Sequence, residues 1–218
     1  MLHQRYKDIC FLAIAKATVP NYWVRRCRYA VWPGARSLHL HLGCGTKYLS
    51  GFVNIDANPL QKTDMWLDVR CGLPFANQSV DSIYSTHMIE HLYPDELEAL
   101  LRECARALKP RTGLRLIVPS LRSAVFAYQE NRRDWFCDSF PRHFDSVGGR
   151  FSNFVFCDGQ HRTAFDFAYL EEVLRKAGFS QVQESAEGLS RLYGENVPFF
   201  DPHDHVELPR SLYVEAFK

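Results

Sequence analysis

Apolar and polar positions along the chain predict seven short strands and two clear helices. Leucines alternate with histidines over residues 38–42, which is the period of two that is typical of a strand. From 94 to 108 the apolar residues instead fall on one helical stripe, and a second helix is predicted for 167–177. The other predicted strands are 53–56, 64–69, 80–85, 114–118, 181–185 and 212–217. This mixture of strands and helices predicts an α/β fold.

Two glycines directly follow the first predicted strand, at positions 43 and 45. Glycine lacks a Cβ, so the chain can turn sharply there and its backbone can approach a ligand closely. The second predicted strand ends in the carboxylate of Asp56. In open α/β sheets this combination binds a nucleoside, because the acid accepts hydrogen bonds from the ribose hydroxyls.

The spacing of these residues excludes two common nucleotide motifs. The dinucleotide fingerprint has a third glycine where this chain has Tyr48, and its acid lies about 20 residues beyond the glycines. Here Asp56 follows Gly45 by only eleven positions. No Lys-Ser/Thr pair follows the glycines, so a phosphate-binding P-loop is excluded as well. S-adenosylmethionine contains a ribose but no phosphate, and it needs neither motif.

From about Leu38 onward, these features resemble the class I, seven-stranded S-adenosylmethionine-dependent methyltransferases, and most closely the small type 11 group. The segment from Glu103 to Pro119 also resembles that family's E-x-x-R-x-L-K-P-G-G motif. The resemblance implies a Rossmann-like, doubly wound, mostly parallel sheet and S-adenosyl-L-methionine as the cofactor. The cofactor contacts that it implies are Gly43, Cys44, Gly45, Asp56, Ala57, Asp68, Val69, Thr86 and His87.

Asp68 ends the third predicted strand, where an acid in these methyltransferases meets the adenine amino group and a neighbouring apolar residue, here Val69, lies under the ring. A carboxylate is the natural acceptor for an exocyclic amine. The alternative is that Asp68 caps the turn that follows it.

The chain departs from the family pattern at the first strand. His41 stands where an acid is usual, and the distance from Gly43 to Val53 leaves room for one helical turn at most, so a shortened first helix is expected. His39 and His41 are predicted to be satisfied, partly buried histidines and not a metal pair, because no third ligand is near in sequence.

The residues after the fourth predicted strand offer a competing interpretation. His87, Glu90 and His91 fit the H-x-x-E-H pattern of inverted zinc metallopeptidases, which makes a zinc hydrolase the alternative function. Those enzymes carry the motif within a long helix, whereas here it follows a strand and precedes Pro94. A methyltransferase without a metal is therefore preferred. A binding protein with the same fold but no catalysis is a further alternative.

Nearly fifty residues separate the fifth predicted strand from the next helix. Ligands of open α/β sheets lie beyond the carboxyl ends of the strands, so the insertion 120–166 is predicted to cover an acceptor pocket. Its aromatic and arginine residues suit a ring-shaped or anionic small molecule, such as a sugar or secondary metabolite, that is methylated on oxygen or nitrogen. The alternative is that the insertion is purely structural and its aromatic residues only pack on the sheet. The candidate bases are His161, His143 and His91, with Asp145 and Asp166 behind them.

Composition limits the remaining possibilities. A chain of 218 residues, 46% of them hydrophobic, fits one domain over 38–218. The net charge of +1 gives no footprint for nucleic acid. Seven cysteines without a C-x-x-C pair predict buried thiols in a reducing, cytoplasmic compartment. No apolar run approaches the ~20 residues of a membrane span.

Two further segments hold weaker signals. Residues 1–37 are predicted to form a helical extension that packs on the sheet or covers the cofactor site; the alternative is a basic patch in weak contact with a membrane or partner. Pro20 and Pro33 interrupt its apolar face and favour the first interpretation. Residues 201–205 contain four potential metal ligands, but adjacent loop residues rarely converge on one ion, so no metal is predicted there.

Overall fold

The computed structural model describes residues 4–30, 37–136, 141–194, 204 and 207–218. Its strands are β1 (His39–Leu42), β2 (Val53–Asp56), β3 (Met65–Trp66), β4 (Val80–Thr86), β5 (Leu108–Pro119), β6 (Gln181–Ser185) and β7 (Ser211–Phe217). Its helices are α1 (Gln4–Ala30), α2 (Pro94–Ala107), α3 (Leu121–Gln129), α4 (Val147–Phe156) and α5 (Phe167–Lys176). Short 3-10 turns lie at Val69–Cys71, Ile89–His91, Arg133–Trp135 and Cys157–Gly159.

The strands form one seven-stranded sheet in the order β3-β2-β1-β4-β5-β7-β6. β1 to β5 pair in parallel, while β7 runs antiparallel to both β5 and β6. The predicted Rossmann-like α/β fold is therefore confirmed. The strand order reverses between β1 and β4, and ligands of such sheets bind beyond the carboxyl ends of the strands at that switch point.

Helix α2 shows how the local sequence shapes the fold. Pro94 opens it, and the Tyr93 amide donates to Glu96 Oε2 at 3.0 Å, so the side chain satisfies a backbone group at the helix start. The stripe of Leu97, Leu100 and Leu101 is buried in the main core, as its helical spacing predicts.

Two predicted strand lengths are wrong. The strand expected at 64–69 is only Met65–Trp66, because the chain turns into a 3-10 turn that Asp68 caps. The strand expected at 114–118 instead begins at Leu108, which pairs with Val80 across an irregular register. The segment 109–113 thus extends the sheet and does not merely end a helix. Between β1 and β2 the structure has turns and no helix, in agreement with the reduced connection.

The insertion 120–166 has structure of its own. It contains α3 and α4, and a small apolar cluster lies between them that is separate from the main core. The buried members of this cluster are Ala124, Ala127, Trp135 and Phe136. The insertion is therefore a folded layer at the end of β5, although its boundaries as a functional unit stay a prediction.

Helix α1 continues through Pro20, which does not interrupt it. Thr18 is fully buried, and its hydroxyl accepts from the Asp68 amide at 3.3 Å, so α1 lies against the turn that follows β3. The Asn21 side chain also donates to the Trp66 carbonyl. Pro33 lies outside the described residues. Among the helices that the structure describes, none is both long and apolar enough to cross a membrane.

Candidate active site

The loop that follows β1 is fixed to β2 by its backbone. The Gly43 and Cys44 amides both donate to the Ile55 carbonyl, at 2.9 and 3.1 Å. The Gly45 amide donates to Asp56 Oδ2 at 2.7 Å. These three bonds set the loop's shape without a ligand, so the glycine turn is preorganised.

The two glycines serve different purposes. Both have a left-handed backbone, with φ of +66° at Gly43 and +50° at Gly45. A Cβ on Gly43 would lie 2.2 Å from Met88 Cγ, whereas a Cβ on Gly45 would have no atom within 4 Å. The close approach at Gly43 is thus made by Met88 from the loop after β4, and Gly45 is the glycine that faces open space.

Asp56 lies at the carboxyl end of β2 and is half-buried. Its Oδ1 accepts from the Asn58 amide at 2.7 Å, while its Oδ2 holds Gly45. Each carboxylate oxygen can accept a second hydrogen bond. The Ala57 carbonyl accepts from Trp66 Nε1 at 2.8 Å, which holds the residue after Asp56 in place. Both Asp56 oxygens therefore keep the capacity to accept a further hydrogen bond next to the glycine loop.

Asp68 forms the cap that was the alternative to a cofactor contact. Its Oδ1 accepts from the Arg70 amide at 2.9 Å, and the Arg70 guanidinium pairs with its Oδ2 at 2.7 Å. The carboxylate beside it raises the pKa of Arg70, so this guanidinium stays charged. Val69 is buried in the main core. The predicted adenine contacts of Asp68 and Val69 stay predictions, and in the described residues both side chains have structural partners.

The end of β4 presents two polar residues beside the glycine loop. Thr86 is buried, and its hydroxyl makes no hydrogen bond within the described ranges. His87 has a left-handed backbone with φ of +48°, its amide donates to the Ile117 carbonyl, and its Nε2 lies 3.2 Å from Ser211 Oγ. His87 therefore links the loop after β4 to the start of β7.

The H-x-x-E-H residues do not share a helix face. Glu90 and His91 lie on the 3-10 turn Ile89–His91, and His87 precedes that turn. Glu90 is buried, and its closest ion-pair partner is His87 Nδ1 at 3.5 Å. The ring of His91 instead lies against His161 of the insertion, with centroids 5.1 Å apart. The geometry that was expected of a helical zinc motif is absent from this part of the chain.

The candidate bases occupy three different environments. Burial lowers the pKa of His161, against an opposing effect of Glu90. His143 is exposed, and its Nε2 lies 3.5 Å from Oδ1 of Asp145, which is more exposed still. Asp166 accepts from the Tyr169 amide at 2.9 Å and caps α5. Of the predicted candidates, the structure therefore brings together His161 and His91.

The strand histidines differ from each other. Half-buried His39 contacts Ser82 Oγ at 2.7 Å through Nδ1. His41 is fully buried, not partly as expected, and its Nδ1 lies 3.1 Å from Asn54 Oδ1. Its Nε2 has no hydrogen-bond partner in the described chain, so His41 is only half satisfied. Burial lowers its pKa and keeps the ring neutral.

Two more predicted positions can be assigned. The Cys44 thiol is buried, which raises its pKa to about 11, so any cofactor contact there falls to the backbone. Of residues 201–205, only Asp204 is described. It accepts from the Tyr213 hydroxyl at 2.9 Å and from the Arg210 and Ser211 amides, so its carboxylate has a structural role.

A cleft of 720 Å³ opens between the insertion, the start of α5 and the ends of β6 and β7. This volume is typical of a small-molecule pocket. Polar and aromatic residues at its wall include Ser120, Arg122, Phe126, Asp166, Glu184 and Ser211. Ser211 also contacts His87, so the cleft adjoins the loop after β4.

Residues 40–115, from β1 through the glycine loop to the first part of β5, match the family model of a methyltransferase domain. This match confirms the predicted resemblance, and the region that holds the glycine loop and Asp56 is similar to a methyltransferase domain. No curated protein matches the sequence.

Solved structures of low sequence identity resemble the fold. A "possible exported protein" of Bordetella parapertussis is 14% identical, with a TM-score of 0.51 over 92% of this chain and 68% of the other. An S-adenosylmethionine-dependent methyltransferase of Archaeoglobus fulgidus is 16% identical, with a TM-score of 0.49 over 89% and 92%. Phosphoethanolamine N-methyltransferase 2 of Haemonchus contortus, solved with S-adenosyl-L-methionine, is 13% identical, with a TM-score of 0.48 over 92% of this chain and 52% of its own length.

Proposed function

We propose that this methyltransferase transfers a methyl group from S-adenosyl-L-methionine to an oxygen or nitrogen of a small-molecule acceptor. The observation that carries the proposal is the glycine loop held by Asp56, with open space at Gly45, at the switch point of the sheet. A bound ribose needs hydrogen-bond acceptors for its hydroxyls and a stretch of backbone that it can approach closely. The Asp56 carboxylate supplies the acceptors, and Gly45 supplies the open backbone.

The residues present fit the donor in both shape and charge. The outer lone pairs of Asp56 suit the two ribose hydroxyls, and the space at Gly45 leaves room for the adenosyl group. Thr86 and His87, at the end of β4, would border the same space, as the family resemblance implies. The donor, when bound, supplies a methyl group on a positively charged sulfur. The chain itself contributes alignment and the exclusion of water, and alignment alone is worth roughly 7–11 kcal/mol in well-oriented reactions.

The 720 Å³ cleft is the proposed acceptor site, and the insertion 120–166 is its cover. Arg122 and Phe126 from α3 would bind an anionic or ring-shaped acceptor, such as a sugar or secondary metabolite. The contact between Ser211 and His87 supports a position of this cleft next to the proposed donor site. An oxygen acceptor must also lose a proton, for which His161, His91 and His143 are the candidates.

Two finer proposals concern the setting of the protein. Cys44, Cys104 and Cys157 are buried free thiols and Cys71 is half-buried, but Cys10 and Cys27 are exposed on α1, so the expectation of buried thiols is wrong for these two. The free thiols support the proposal of a reducing, cytoplasmic location. The side chains of Tyr6, Ile9 and Trp23 are exposed on α1. These exposed apolar residues support a weak contact of this helix with a partner or a membrane. We do not propose a nucleic-acid substrate, since the net charge of +1 gives no basic footprint.

Calorimetric titration with S-adenosylhomocysteine tests the donor site. We expect saturable binding by the parent protein and at least about tenfold weaker binding by Asp56→Ala, because a lost charge-assisted hydrogen bond is worth about 1.5–3 kcal/mol. Asp134→Ala, which changes an exposed aspartate outside the site, is the matched control and should bind as the parent does. If the parent shows no heat, or if Asp56→Ala binds equally well, the donor assignment is wrong.

The acceptor is tested separately by a screen of sugars and small anionic alcohols and amines with labelled methyl donor. Label transfer that is reduced by Arg122→Ala would support the cleft. Transfer of label only to macromolecules would contradict a small-molecule acceptor.

A further inference from the structure

Three potential metal ligands from distant parts of the chain meet beside the loop after β4. One ligand atom each from Glu90, His91 and His161 can be chosen so that all lie within 4.8 Å of one another. Glu90 and His91 are neighbours on a 3-10 turn, while His161 arrives from the end of the insertion. We call these three residues the Glu-His-His cluster.

The protons of the two imidazoles are assigned by their neighbours. His91 Nδ1 lies 3.2 Å from the Gln160 carbonyl, and His161 Nδ1 lies 3.1 Å from the Val155 carbonyl. A carbonyl oxygen only accepts, so each Nδ1 carries the proton and donates it. Each Nε2 then holds a lone pair. Histidines that bind metals use this arrangement, with one nitrogen donating to a backbone carbonyl and the other facing the ion.

The carboxylate of the cluster lacks a hydrogen-bond donor. Glu90 is 1% exposed, and neither of its carboxylate oxygens has a hydrogen-bond partner among the described residues. His87 Nδ1, at 3.5 Å, is too far for a good hydrogen bond. A buried carboxylate without a hydrogen bond is costly unless a cation lies beside it. A cation that also contacts His91 and His161 would supply the Glu90 carboxylate with a close positively charged partner.

The backbone holds the two halves of the cluster together. The Arg162 and Thr163 amides both donate to the Glu90 carbonyl, at 2.7 and 3.1 Å. The Thr163 hydroxyl donates to the Leu92 carbonyl at 2.9 Å. These bonds fix the residues next to His161 against the turn that carries Glu90. The cluster is therefore built into the fold and is not a chance meeting of surface side chains.

From this geometry we infer that Glu90, His91 and His161 bind a divalent transition-metal ion. Two imidazoles and one carboxylate match zinc-type sites, and three protein ligands leave at least one position open for water or a substrate oxygen. Ligand atoms around such an ion are about 3.4 Å apart at a bond length of about 2.1 Å, so binding draws the present atoms closer together. With the ion bound, the Nε2 lone pairs of His91 and His161 would be occupied, so these two of the three candidate bases could not also accept a proton from the acceptor.

The assignment differs from the H-x-x-E-H motif in two respects, because Glu90 is a ligand here and not the general base, and because one histidine ligand is different. His161 takes the place that the motif gives to His87, whose Nε2 is engaged with Ser211. The metal site therefore joins the loop after β4 to the insertion, and does not require the helix that zinc hydrolases use.

Metal binding is measured on the full chain without any methyl acceptor. Protein stripped by a chelator is titrated with Zn²⁺ in competition with a chromophoric chelator, and Co²⁺ is used to obtain a visible ligand-field spectrum. We expect one ion per chain and a spectrum of low coordination number that Zn²⁺ abolishes. Binding of several ions with no saturation would mean an adventitious ion only and would overturn the inference.

Variants assign the ligands. His91→Ala, His161→Ala and Glu90→Gln should each weaken Zn²⁺ binding by more than about 100-fold, since even outer-sphere partners are worth 10- to 100-fold. His143→Ala, which removes an exposed histidine of the same insertion outside the cluster, is the matched control and should bind as the parent does. Equal binding by His161→Ala and the parent would refute the site.

Two further measurements keep the result unambiguous. The circular dichroism spectrum and melting temperature of each metal-free variant are compared with those of the metal-free parent. If buried Glu90→Gln fails to fold, the two histidine variants decide the outcome. Calorimetry with S-adenosylhomocysteine, run on the metal-free protein, reports the donor site independently, so that failure of the metal site and failure of the donor site can be told apart.

Discussion

Alanine substitutions at the two glycines of the glycine loop, Gly43 and Gly45, should rank in opposite orders for loss of stability and for loss of S-adenosylhomocysteine affinity. In Gly43→Ala the new methyl group would lie 2.2 Å from Met88 Cγ and 2.6 Å from Met88 Cβ, so the methionine must move. Overpacking of this kind costs about 1–3 kcal/mol, and a left-handed backbone costs an L-residue about 1–2 kcal/mol more. In Gly45→Ala only the backbone cost applies, because nothing lies within 4 Å. The expected losses of unfolding free energy are therefore about 2–5 and about 1–2 kcal/mol.

Urea unfolding followed by tryptophan fluorescence measures both losses. A double-mutant cycle with Met88→Gly isolates the steric part, because removal of the whole side chain, including the Cβ at 2.6 Å, leaves room for the new methyl group. In the Met88→Gly background, Gly43→Ala should cost only the backbone contribution of about 1–2 kcal/mol. Equal losses for the two glycine variants, or a cycle without coupling, would refute this division of roles.

Affinity for S-adenosylhomocysteine should follow the reverse order. The methyl group of Gly45→Ala would project into the open space that the proposed donor occupies, while that of Gly43→Ala would point at Met88. We expect Gly45→Ala to bind more weakly than Gly43→Ala when both are folded at the temperature of the titration. A larger affinity loss in Gly43→Ala would place the donor elsewhere.

Two further predictions concern the buried charges and histidines. Glu215→Ala should lower the unfolding free energy by about 3–5 kcal/mol in urea denaturation, because fully buried Arg115 loses its carboxylate. Glu172→Ala, which removes an exposed carboxylate that pairs with Lys176, should cost under about 1 kcal/mol, and similar losses would contradict this reasoning. Burial lowers the pKa of His41, so the unfolded chain binds more protons and stability falls as the pH drops below 6.5. His41→Gln should flatten that fall, and an unchanged slope would exclude His41 as its source.

Much of the sheet could be predicted because its strands are short and end at turn residues. β2 and β6 have the predicted bounds, and β1 differs by one residue. β5 was misjudged because Pro110 and Gly113 suggest a turn, whereas pairing with β4 keeps this segment in the sheet. Neighbouring strands decide such lengths, and local composition does not record them.

The candidate site was only partly predictable. The glycine loop and Asp56 lie close together in the sequence, so their spacing alone predicts this part of the site. The meeting of Glu90 with His161 depends on how the insertion folds back over seventy residues, and no periodicity records that. The isolated H-x-x-E-H pattern indicated two of the three residues of the cluster. The only sequence signal for the third residue, His161, is its position near the end of a long, aromatic-rich insertion.

The position of β7 has a consequence for how the domain assembles. Within the residues that the structure describes, β6 lies at the edge of the sheet and β7 is its only strand neighbour. β7 in turn pairs with β5 through residues as far apart as Gly113 and Phe217, a separation of 104 positions (217 minus 113). Closing so long a loop is slow, and until it closes β6 and β7 are not paired with β5 and the rest of the sheet. In native-state hydrogen exchange, the amides of β6 and β7 should therefore exchange through one shared opening, as one cooperative unit.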